Sequence, residues 1–90
     1  MPKIIAQLDL LRPYIEWKKA FDRDAHNRNN GGVKTIYVGH NLENERLVFL
    51  LFKVSSMEAL FKFTQPTLIR DRAILYGHNP ATARVIPCID

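Results

Sequence analysis

Apolar and polar positions along this chain fall into six successive patterns. Lys3 to Leu10 alternates, with Ile4, Ala6, Leu8 and Leu10 on one side and Lys3, Ile5, Gln7 and Asp9 on the other, which predicts a strand with one dry face. Pro13 suits a first helical turn, and Tyr14, Trp17, Phe21 and Ala25 then share one stripe while Glu16, Lys19, Arg23 and Asn27 take the other side. This predicts a helix from Pro13 to Arg28, ended by Asn29-Asn30-Gly31-Gly32. Val33 to His40 predicts a second strand, with Ile36 and Val38 on one face and Thr35, Tyr37 and Gly39 on the other. Asn41 to Glu45 is a short connection rich in turn formers, so the next strand returns antiparallel.

That next strand, Leu47 to Val54, reads Leu-Val-Phe-Leu-Leu-Phe-Lys-Val and carries no charge before Lys53. A strand with one wet face alternates; this one does not, so both of its faces are covered. Ser55 with Glu58 three residues on forms a capping-box pattern, predicting a helix through Leu60 to Phe63. Gln65-Pro66 then forces a kink or a restart. The second piece, Thr67 to Tyr76, has Ile69, Ala73 and Tyr76 on one stripe and stops at Gly77. After the turn His78-Asn79-Pro80, Ala83 to Ile89 is a last strand, and Pro87 places it at an edge.

The order β-α-β-β-α-β is that of the split βαβ, or ferredoxin-like, α+β fold: a four-stranded antiparallel sheet with two helices on one face. Residues 1–90 form a single domain, one that buries only about 60% of its extended surface. Helices can cover one face of the Leu47–Val54 strand. An exposed row of Leu47, Phe49 and Leu51 on the other is a costly patch unless a second copy of the chain covers it.

Composition narrows function by exclusion. At 47% hydrophobic residues the chain is globular, and no segment approaches the roughly 20 apolar residues of a membrane span. The net charge of +4 comes from 13 basic residues scattered among nine acids, a solvated surface and not a phosphate-binding patch. RNA-binding domains of this strand order stack bases on aromatics of the first and third strands. Here the first strand has none, and Phe49 and Phe52 have opposite parity, so no nucleic-acid partner is expected. One cysteine, Cys88, allows no internal disulfide, and with no charged-then-apolar leader at Met1-Pro2-Lys3-Ile4 a reducing cytoplasm is the expectation. Nucleophile elbows and phosphate-binding glycine loops are absent.

With these elements the chain resembles the dimeric α+β barrel superfamily, in which two such sheets pack face to face. Glu16-Trp17, Phe21-Asp22 and Asp24, the Tyr37-x-Gly39 at the end of the second strand, and Gly77-His78 carry a further likeness to a small family of unassigned function within it. The superfamily includes cofactor-free and haem-degrading monooxygenases and stress-responsive barrels. The resemblance implies a homodimer with small ligands held between sheet and helices or within the barrel. Haem-degrading members use a helix-borne His near Asn and Trp; here Gln7 is the nearest polar residue to that Asn, and no cofactor is expected.

Four residues are candidates for ligand contact: Trp17 and Tyr37 as aromatic walls, Asp22 and His78 as polar contacts. Three of them have a plainer account. Trp17 fits core packing, though a buried indole N–H needs a partner. His78, in Gly-His-Asn-Pro, fits a hydrated turn. Asp22 and His26 are one helical turn apart and can pair, but no third ligand follows, so an exposed ion pair is favoured and no metal site is expected. Tyr37 and His40 lie on opposite faces of their strand, so only one of them can line a given cavity, and Tyr37 is favoured because it shares its face with Gly39. These features support binding of a small, largely apolar molecule. A cofactor-free monooxygenase acting on an aromatic or quinone-like substrate, or a structural or regulatory homodimer without a ligand, are the alternatives.

Overall fold

The computed structural model describes residues 1–90 as β1 (Pro2–Asp9), α1 (Tyr14–Arg23), α2 (Ala25–Asn30), β2 (Val33–His40), β3 (Leu47–Val54), α3 (Met57–Phe63), α4 (Pro66–Tyr76) and β4 (Arg84–Ile89). The strands form one antiparallel sheet in the order β2-β3-β1-β4. This is the ferredoxin-like arrangement, and β4, with its Pro87, is an edge strand as its proline requires. Each of the two expected helices is divided in two. Pro66 opens α4 and accounts for the second break. The first falls at Asp24, which the helical periodicity did not anticipate.

Asp24 leaves α1 with φ −89° and ψ 1°. Its carboxylate accepts hydrogen bonds from the Asn27 amide at 2.7 Å and from the Tyr76 hydroxyl. Side-chain bonding of this kind competes with a continuous helix. The start of α3 also differs from the capping-box expectation. Ser56, not Ser55, is the N-cap, its Oγ accepting from the Ala59 N–H at 3.1 Å.

Register explains the two faces of the sheet. Ile4, Ala6 and Leu8 stand opposite Phe52, Leu50 and Val48, and all six are buried beneath the helices. There they meet Trp17, Phe21, Leu60, Phe63 and Tyr76 in one core, each large side chain contributing roughly 1.5–3 kcal/mol by its burial. On the other face, Tyr37, Leu51, Ile5 and Ile86 form a row across all four strands. Tyr37, Ile5 and Ile86 are exposed there, as is Phe49 beside them. The central strand is thus apolar on both faces, with only one covered within the chain.

An irregularity between Thr35 and Tyr37 alters the expected parity of β2. Thr35 stands opposite Phe52 on the helix-covered face, whereas Tyr37 stands opposite Leu51 on the open one. A bulge adds one residue to one strand and so switches which side the following residues take.

Replacing the Ser56 cap tests the corrected helix start. Ser56→Ala is expected to cost about 1 kcal/mol in urea unfolding, and Ser55→Ala under about 0.5 kcal/mol. The reverse order would restore Ser55 as the cap.

Candidate functional site

A cavity of about 50 Å³ lies between the sheet and the helices. Its floor is Ile4, Ala6, Leu8, Leu50 and Phe52, and its sides include Trp17, Phe21, Phe63 and Tyr76. That volume is several times the roughly 10–15 Å³ one water needs, but well under the ~300 Å³ of small ligand pockets.

Two of the four candidate residues meet in this cavity. Trp17 is fully buried, its ring stacked on Phe21 with centroids 4.9 Å apart, and its indole N–H has no partner. His78 is also buried, not hydrated as its turn suggested. The cause is local. Gly77 ends α4 in the left-handed conformation, at φ +89°, a region glycine enters without a Cβ penalty. Its carbonyl accepts from Leu11 N–H at 2.9 Å, and Asp9 C=O accepts from Asn79 N–H at 2.8 Å. These bonds fasten the turn to the end of β1 and carry the imidazole under the helices, where Nδ1 has no partner. Burial lowers the His78 pKa to about 4, so the ring is neutral at pH 7.

The other two candidates lie elsewhere. Asp22 is exposed, its two carboxylate oxygens each accepting from Lys18 Nζ at 2.8 Å. It does not pair with His26, which bonds Asn30 across 3.1 Å. This ion pair is at the surface, and Asp22 is not among the residues that line the cavity. Tyr37 is on the open face of the sheet, its ring folded over Gly39, where any Cβ would strike the phenol. Trp17 and Tyr37 are separated by the sheet and cannot line one pocket. No three His, Cys, Asp or Glu side chains come together to hold a metal.

A polar cluster that the sequence reasoning passed over completes the wall. Arg28 is buried, and its guanidinium lies 3.6 Å from the centre of the Phe21 ring. It donates to Phe21 C=O at 2.8 Å and to the Tyr76 hydroxyl at 3.3 Å, and Tyr76 in turn donates to Asp24. Arg72 lies 3.8 Å over Phe63 and donates to that residue's carbonyl at 2.9 Å, tying α4 to α3. Arg28 falls seven positions after Phe21, on the same helical stripe. That spacing was the available signal, and its charge concealed it.

Electrostatics in the cluster are mutual. Burial, and then the bond to Asp24, push the Tyr76 hydroxyl up to about 12. Burial alone would raise the Asp24 carboxyl, but hydrogen bonds from Tyr76 and Asn27, with the charges of Arg28 and Arg72, hold it below the ordinary value. Burial lowers Arg72. The cavity itself is lined almost entirely by apolar surface, with the polar cluster packed behind it.

Solved structures of the same shape are known. Provisionally named antibiotic biosynthesis monooxygenases from Deinococcus radiodurans (TM-score 0.70, 9% identity, covering 100% of this chain and 92% of that one) and Nitrosomonas europaea (0.68, 9%, 100% and 98%) superpose on it. One from Caulobacter crescentus matches with TM-score 0.67 at 13% identity, over 99% of this chain and 90% of its own. The chain has their fold, a four-stranded antiparallel sheet with helices in a ferredoxin-like α+β arrangement. At these identities the likeness is one of fold. No protein-family model matches the sequence, and no curated protein is similar to it. No helix is long and apolar enough to cross a membrane.

The buried imidazole predicts a specific pH dependence. With a pKa of about 4 in the fold against about 6.5 unfolded, the unfolded chain takes up this proton first as pH falls. The contribution of His78 is complete above about pH 6.5 and is lost between there and pH 4, a change approaching 3 kcal/mol. Urea unfolding at pH 7 and 4.5 measures it. His78→Asn should flatten the slope across that window; an unchanged slope would assign it to other groups.

Proposed function

We propose that this chain works as a homodimer joined through its open sheet faces and binds a small, largely apolar molecule between sheet and helices in each copy. The observation that supports the binding site is an apolar cavity between sheet and helices, and three of the residues around it, Trp17, Arg28 and His78, hold buried polar atoms without partners. Unmade hydrogen bonds of buried groups cost about 1–3 kcal/mol each, and a guest that supplies partners recovers that cost. The dimer rests on the apolar row of Tyr37, Leu51, Ile5 and Ile86, a surface that favours a covering partner. Tyr37 accordingly serves the interface, and Trp17 and His78 serve the ligand.

The second reading is a cofactor-free monooxygenase acting on an aromatic or quinone-like substrate. It is favoured by the provisional names of the structural neighbours. Against it, an imidazole whose pKa is near 4 is a weak base toward a phenol of pKa about 10. Oxygen consumption with a panel of dihydroxynaphthalenes distinguishes the two.

Trp17 is the only tryptophan, so its emission reports the cavity directly. Titration with naphthalene-sized aromatics is expected to change the emission saturably. By calorimetry Trp17→Ala should weaken binding about tenfold or more, while Tyr37→Ala leaves the affinity unaltered. Binding indifferent to Trp17→Ala would remove the site from this cavity.

A further inference from the structure

The open face of the sheet is apolar across its middle and charged, with opposite sign, at its two ends. At one end Lys34, Lys53 and Lys3 stand directly opposite one another on β2, β3 and β1. Like charges in directly opposed cross-strand positions destabilise a sheet. Lys3 is relieved by Asp90, whose carboxylate lies 2.7 Å from its Nζ. Lys53 has a lysine on either side, and neither it nor Lys34 takes part in an ion pair. The apolar row of Tyr37, Leu51, Ile5 and Ile86 follows, and then a row of Gly39, Phe49, Gln7 and Arg84. The far end carries Asp9, opposite Leu47 and on the same side of β1 as Lys3, about 20 Å away. Glu43 and Glu45, both exposed, are in the connection that turns there from β2 into β3. None of these three carboxylates is in an ion pair. Three carboxylates against Arg46 and Arg84 leave this end negative; three lysines against Asp90 leave the other positive.

We infer that the second copy is set end for end on this face, so that Lys34 and Lys53 of each chain lie against Asp9 of the partner subunit. This rests on the dimer proposed above, and adds the orientation of the two copies. A two-fold interface is isologous, so a contact made from one residue to another is made in reverse as well. With like ends together, lysine row would press on lysine row and carboxylates on carboxylates. Turned end for end, each charged end meets the opposite sign, and does so twice. The apolar row lies next to the lysines, so the same setting brings it onto the Phe49 row of the other copy, two largely uncharged surfaces. Apolar burial then supplies the affinity, while charge complementarity fixes the register and suppresses the other arrangement.

Charge exchange tests the orientation, with dimer dissociation measured by analytical ultracentrifugation. The wild-type dimer is expected to weaken several-fold as sodium chloride rises from about 0.05 to about 0.5 M. Asp9→Lys should weaken it about tenfold, as should Lys34→Glu with Lys53→Glu, because each leaves like charges facing at both ends. All three changes in one chain reverse both ends and should bring the affinity back to within about threefold of wild type. Should Asp9→Lys fail to fold, Glu43→Lys with Glu45→Lys takes its place in the exchange. Affinity unmoved by the changes at either end, affinity not restored in the combined chain, or a wild-type dimer that tightens with salt would overturn the orientation and leave the dimer standing. A wild-type chain that stays monomeric into the high micromolar range would overturn both.

Discussion

The fold depends on a strand that is apolar on both sides. Val48, Leu50, Phe52 and Val54 of β3 are fully or nearly buried against the helices, and their burial fixes the register of β1 on one flank and β2 on the other. A slip of one residue would turn these four out and bring Leu47, Phe49, Leu51 and Lys53 in, placing an ammonium group in the core. The same alternation sends Leu51 to the open face, in line with Tyr37, Ile5 and Ile86. Core and proposed interface are thus opposite faces of one constraint.

The first helical segment does not run straight but breaks at Asp24. A continuous helix through Asp24 would not need the carboxylate that Tyr76 and Asn27 now bond. With the break, α2 packs so that Arg28 lies against the Phe21 ring and bonds its carbonyl, while Tyr76 reaches across from α4 to join Arg28 to Asp24. Trp17 stacks on Phe21, Tyr14 packs tilted against Trp17, and the rings meet Phe52 and Phe63 from the sheet and α3. Rigid rings and a fixed guanidinium surround a small unfilled space whose surface is almost wholly apolar.

Element order, strand pairing, the inward set of β1 and β3, and the restart at Pro66 were legible because they follow from periodicity and from proline, both local and strong signals. Trp17 was legible as an inward aromatic. His78 was named, but its burial was not, since it depends on backbone bonds from Leu11 and Asn79 that join residues far apart in sequence. Asp22 was legible as one half of an exposed ion pair, but its partner is Lys18, one turn earlier, and not His26. Tyr37 was assigned to the pocket on the strength of its neighbour Gly39, whereas the strand places both on the open face. Arg28 and Arg72 went unread because a charge on an apolar stripe is ordinarily solvated, and only tertiary packing over Phe21 and Phe63 reveals otherwise.

The central claim is that both faces of β3 are covered, one by the chain's own helices and the other by a second copy. Native mass spectrometry of the protein as purified tests it most directly, because it counts chains and retains bound molecules together. The account predicts twice the chain mass at micromolar concentration, with any retained organic molecule adding to that value. A bare single-chain mass throughout that range would contradict it.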